Sequence, residues 1–239
     1  MTANLAEVGH MPHSFTSPDI LGMPHQDKAA TVKLGPPVST AALYRLASMA
    51  GVGSALILLI NAAKRAALIP ATDLTQLLAP FAEVLALGLV VGLFMAAGRR
   101  GGLFGAVAFV MNFIALASLI GVEVVINLVF AKLPPETIME LLAGPLGLMF
   151  TVTSMLFLVA SLAFVVSMLP GRAVPRIPLA LYAIGVPPIA LRAFVPELAL
   201  DLGLVALAAA IGWLSVWLWA SADGIGDIRA ESSSLTIAQ

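Results

Sequence analysis

The chain has 239 residues, 60% of them hydrophobic and only 10% charged; 12 basic and 13 acidic residues give a net charge of −1, and cysteine is absent. A soluble domain carries roughly 25% charged residues, and a fold of this size needs a polar coat that this composition cannot supply. Near-neutrality excludes a nucleic-acid partner, which would need a concentrated basic face, and the lack of cysteine excludes thiol catalysis, zinc–thiolate sites and disulfides.

An integral membrane protein remains, and residues 1–40 stand apart from the rest of it. They hold all three histidines (His10, His13, His25), five prolines and no long apolar run. No basic start leads promptly into a hydrophobic core, so a cleavable signal peptide is not expected. The segment reads as a disordered cytoplasmic tail, too poor in apolar residues to offset the entropy of ordering. It contains Met11-Pro12-His13 and Met23-Pro24-His25. Imidazole and thioether can bind copper or nickel, but the spacing is irregular, and neither a metal nor a cofactor is expected.

Residues 41–221 form the expected transmembrane domain, and 222–239 a short cytoplasmic tail. A span needs roughly 20 apolar residues, and six follow in order. The first covers 43–69, and the second runs from just after Asp73 to 98. The third covers 103–131 and stops at Lys132-Leu133-Pro134-Pro135. The fourth covers 138–169, entering the hydrocarbon near Pro145. The fifth, 177–195, contains Pro187-Pro188, which must kink or break it. The sixth covers 197–220. An open sheet edge cannot be satisfied in lipid, so the expected fold is all-α: a polytopic bundle of six transmembrane helices. No internal repeat is evident. Gly88, Gly92 and Ala96, with Gly101 and Gly105 beyond, form small-residue ladders that let helix backbones approach closely.

Orientation follows from lysine and arginine counts on alternate sides. With the amino terminus inside, Lys28, Lys33, Arg45, Arg99, Arg100, Arg172, Arg176 and Arg229 collect on one side. Lys64, Arg65, Lys132 and Arg192 collect on the other. Both termini are therefore expected in the cytoplasm, with Trp213, Trp217 and Trp219 at the inner interface. The vocabulary suits a bacterial plasma membrane.

Ionisable groups inside a span cost roughly 2.5–3.5 kcal/mol each on insertion scales and are functional candidates by default. Glu83 lies in the outer half of the second span and Glu123 in that of the third. Asn112, Glu123 and Asn127 share one stripe, being 11 and 4 residues apart, and Ser54, Asn61 and Arg65 share another. Arg192 ends the fifth span and Asp201 starts the sixth. The candidate binding cluster is thus Glu83, Glu123, Asn127, Asn112, Asn61, Arg65, Arg192 and Asp201, an outward-facing polar pocket. The competing reading is structural: Lys64, Arg65 and Arg192 simply neutralise Glu83, Glu123 and Asp201. No catalytic constellation is evident, since no histidine lies in a span and no base stands beside a serine.

The segments Ala42-Leu43-Tyr44-Arg45-Leu46-Ala47 and Pro175-Arg176-Ile177-Pro178-Leu179, with the closing Trp213–Trp219 helix, resemble a bacterial family of six-helix membrane proteins known only as a domain of unknown function. The resemblance spans roughly residues 41–220 and implies a six-helix bundle, with no functional residues to carry over. Three functions stay open. The first is a non-enzymatic bundle partnered by the lipid bilayer and by other membrane proteins. The second is a small-solute or proton-coupled transporter using Glu83 and Glu123. The third is a membrane-embedded lipid or isoprenoid enzyme with those carboxylates as acid and base.

Overall fold

Backbone amides in hydrocarbon have no water to bond to, so each segment must satisfy its own. Accordingly, all regular structure among the described residues is helical. The computed structural model describes residues 39–97, 101–170 and 173–237, with side chains through Gly224. The Met-Pro-His pairs, and all but the last two residues of the expected tail, lie outside the described residues. Seven α-helices follow: α1 (Thr40–Arg65), α2 (Asp73–Ala97), α3 (Gly102–Val124), α4 (Pro135–Ala143), α5 (Pro145–Met168), α6 (Arg176–Ala190) and α7 (Glu197–Ile237). A π-helical turn, Val125–Val129, and a 3₁₀ turn, Phe130–Lys132, extend α3.

Local chemistry sets the boundaries. The Ser39 hydroxyl accepts the Ala42 N–H at 3.2 Å and caps α1. The fourth span expected over 138–169 is two helices. Gly144 is extended (φ −98°, ψ −161°), and α5 begins at Pro145. Pro145 has no N–H to continue α4, and it disfavours a helical conformation for the residue before it. The fifth expected span, 177–195, is shorter than read: α6 ends at Ala190, within one turn of Pro187 and Pro188. Two successive residues there lack donors, which leaves the Ala183 and Ile184 carbonyls without their helical partners and weakens the last turns. The last helix is longer, running on through most of the expected tail to Ile237.

Five helices are long and apolar enough to cross a bilayer: α1, α2, α3 with its extension, α5, and α7 as far as Gly224. The remaining candidate, α6, has 15 residues and is about 22 Å long at 1.5 Å per residue. The helices form a closed ring. α1 packs on α2, α2 on α3, α3 on α5, α5 on α6, α6 on α7, and α7 back on α1, while α4 lies against α5. Small residues fill the seams (Ala55 and Ala62 of α1, Ala82 and Ala86 of α2, Ala208 of α7), while Leu46, Leu56, Val152, Val159 and Val216 point outward. A soluble core shows the reverse, with large apolar groups inside and few contiguous outside.

The expected glycine ladder does pack within the bundle. A Cβ at Gly88 would stand 3.1 Å from Ala50 Cβ, and one at Gly92 would collide with Ala47 Cβ. A second close approach, not read from the sequence, joins α6 to α7. A Cβ at Gly185 would lie 2.8 Å from the Gly203 carbonyl oxygen and from the Leu207 nitrogen.

Gly92→Ala should therefore lower stability by roughly 1–3 kcal/mol, the usual cost of overpacking. Gly121→Ala, where a Cβ meets nothing within 4 Å, should be neutral. Thermal unfolding in detergent checks the pair, and equal midpoints would show that the α1–α2 seam has slack.

Candidate functional site

The ring encloses a central cavity to which all six of its helices contribute. Its polar lining comes from Ser54 and Asn61 of α1, Glu83 of α2, Glu123 of α3 and Tyr182 of α6. Phe157 of α5 and Leu204 and Leu207 of α7 help close it with apolar surface. Its volume of about 40 Å³ has room for a few water molecules. A second chamber of about 80 Å³ shares Asn61, Glu123, Ile189 and Leu204 with the first and adds Lys64, Arg65, Asn127 and Arg192. The two are contiguous, with Glu123 at their boundary.

Glu83 lies ten residues into α2, about 15 Å along the helix and near its midpoint. Pro80, one turn earlier, leaves the Gln76 carbonyl without its helical donor. Glu83 is buried, and its Oε2 has no hydrogen-bond partner. The Ser54 hydroxyl, lining the same cavity, is also buried without one. Glu83 interacts electrostatically with Glu123 and Arg192 across this space. None of the four ion pairs among the described side chains includes it.

Glu123 is held on two sides. Arg192 Nη1 donates to Glu123 Oε1 at 3.2 Å, and Asn127 Nδ2 donates to Glu123 Oε2 at 2.8 Å and to the Glu123 carbonyl at 3.0 Å. The Asn127 side-chain oxygen accepts from Lys64 Nζ at 2.8 Å. Asn127 sits in the π-helical turn, a feature that gathers at functional sites. Arg65 pairs with Asp201 at 3.3 Å, joining α1 to the start of α7. At the same end, Lys132 meets Asp73 at 2.9 Å. At the opposite end Arg45 bonds Asp223 at 2.9 Å and lies 5.5 Å from the Trp219 ring centre.

The structure thus gathers Asn61, Glu83, Glu123, Asn127 and Arg192 around the two chambers. Arg65 lines the second with its partner Asp201 behind it. Asn112 is not part of this cluster, although it shares a helix with Glu123. Its Oδ1 accepts from Ser161 of α5 at 2.8 Å, and both side chains hydrogen-bond to Tyr182. Periodicity put Asn112 on the right stripe, but 11 residues along a helix is about 16 Å. The cation beside Glu123 is Arg192, rather than Arg65 or Lys64. Tyr182 and Ser161 were missed. A tyrosine in mid-span instead of at an interface was the available signal, since the chain has only two tyrosines.

No protein-family model, curated protein or solved structure matches the chain.

Glu123→Gln should destabilise the bundle by roughly 3 kcal/mol, because it leaves the Arg192 guanidinium partly buried and uncompensated. Adding Arg192→Gln should restore part of the loss. Glu83→Gln should leave the unfolding midpoint unchanged, since no cation is bonded to it. Thermal unfolding of the three variants decides. A stable Glu123→Gln single variant would remove the ion pair from the account.

Proposed function

We propose that this chain is a non-enzymatic, proton-coupled membrane carrier of six spans, counting α6, with both termini in the cytoplasm. The observation that carries the reading is Glu83: a mid-helix carboxyl oxygen with no partner, facing a cavity contiguous with a polar chamber at one end. A purely structural bundle would neutralise every such group, because an unpaired polar atom in lipid is expensive. An enzyme acting on a lipid or isoprenoid chain would need more space around the two carboxylates than about 40 Å³.

In this reading Arg192 and Asn127 occupy both side-chain oxygens of Glu123, and Glu83 is the group that gains and loses the proton. Dicyclohexylcarbodiimide, an apolar reagent that attacks protonated carboxyls, should label Glu83 and spare Glu123. In intact spheroplasts the labelling should fall as external pH rises. In inside-out vesicles it should ignore the pH of the bathing buffer. Peptide mass spectrometry reads the adduct. Labelling confined to Glu123, or a Glu83 adduct independent of pH on both sides, would overturn the proposal.

The chain's own lack of cysteine makes the topology directly testable. With an impermeant maleimide on whole cells, Asp73→Cys should react and Ser221→Cys should not. The opposite pattern reverses the orientation.

A further inference from the structure

We infer that the cleft beyond the end of α6 is a binding site for an anionic phospholipid. The cleft is separate from the cavity that Glu83 faces, although Arg65 and Arg192 line both it and the polar chamber. Because α6 stops at Ala190, the chain from Leu191 onward does not continue the wall between α5 and α7. A cleft of about 510 Å³ opens there, within the size range of small-molecule sites. One wall is α5, with Phe150, Thr151, Ser154 and Met155; another is the link after α6, with Ala193 and Phe194. Arg65 and Arg192 also line it.

The charge pattern identifies the occupant. Arg192 donates through one nitrogen, Nη1, to Glu123, and Arg65 through Nε to Asp201. Each guanidinium has five N–H donors, so each keeps donors beyond that single bond. Lys64, bonded to Asn127 in the adjoining chamber, adds one positive charge beyond the two arginine–carboxylate pairs. Two guanidinium groups with spare donors at one side of an apolar cleft match a phosphate oxyanion attached to a hydrocarbon chain. Basic pockets between membrane helices bind lipid headgroups in this way. The phosphate takes the spare arginine donors, with Ser154 as a further hydroxyl donor, while the Thr151 hydroxyl already donates to the Gly147 carbonyl at 2.9 Å. The acyl chain lies along Phe150, Met155 and Phe194. A zwitterionic lipid offers the same phosphate but brings a quaternary ammonium against the arginines.

The test uses full-length protein purified in detergent, with dioleoylphosphatidylglycerol, dioleoylphosphatidylcholine or inorganic phosphate added, read by native mass spectrometry and thermal unfolding. Phosphatidylglycerol should be retained at one molecule per chain and raise the unfolding midpoint. Phosphatidylcholine should be retained at least tenfold less, and inorganic phosphate should have no effect. Ser154→Trp fills the cleft from α5 and Ala193→Trp from the facing link, and neither touches an ion pair. Each folded variant should lose the bound lipid by at least tenfold. Equal retention of the two lipids, stabilisation by phosphate alone, or undiminished binding in either tryptophan variant would overturn the inference.

Discussion

One chain of contacts organises the end of the bundle where the functional groups meet: Lys64 to Asn127 at 2.8 Å, Asn127 to Glu123 at 2.8 Å, Arg192 to Glu123 at 3.2 Å. It ties α1 to the extension of α3, and α3 to the link between α6 and α7. In water such contacts would contribute little, because solvent competes for each group. Away from water each group depends on the others, and losing one member strands its neighbour. The π-helical turn that carries Asn127 belongs to the same arrangement. It presents an amide whose two ends face different partners, a lysine and a carboxylate. With Glu123 occupied in this way, Glu83 is left as the carboxyl that no cation holds.

The remainder of the bundle obeys a rule of size. Lipid tails are as apolar as leucine, so no hydrophobic force draws one helix to another, and close packing must do so instead. Alanine and glycine stand at the closest seams, beside buried Leu89, Leu93, Phe157 and Phe164, while other large apolar side chains such as Leu46, Leu56 and Val216 face outward. Ser48 donates to the Ser215 carbonyl at 2.7 Å across the α1–α7 seam, and Ser161 to Asn112 at 2.8 Å across α3–α5. These few hydrogen bonds add direction to packing that is otherwise uniform.

Much of the architecture was legible because length and apolar content alone report a helix in lipid. The helical class, the long apolar segments and the glycine ladder of α2 follow from spacing, whereas the helix that ladder meets, α1, does not. Two of the boundaries that failed were set by proline, and a third was the end of α7, which runs on to Ile237. Pro145 splits one segment at Gly144, and Pro187-Pro188 ends α6 early, because a missing N–H acts on the turn before it, beyond the reach of a hydropathy average. Helical periodicity also placed Glu123 and Asn127 together, since four residues is one turn. It could not separate Asn112 from them, because a stripe records angle and ignores depth. Which arginine meets Glu123 was hidden for a different reason: Arg65 and Arg192 both lie near that end, and the choice depends on how the ring closes.

The shortness of α6 has a consequence for the surrounding membrane. Its roughly 22 Å stands beside α5, about 36 Å long, where a typical hydrocarbon layer is about 30 Å thick. Lipids on that flank meet a shorter apolar wall than those elsewhere on the circumference. They must thin locally, or the bundle must tilt to bury the longer side, at a cost of fractions of a kcal/mol per ångström of mismatch. The strain is one-sided, so it acts as a torque on the whole body and gives it a preferred lean. Bilayers differing in thickness by only a few ångströms would then hold this protein at different angles.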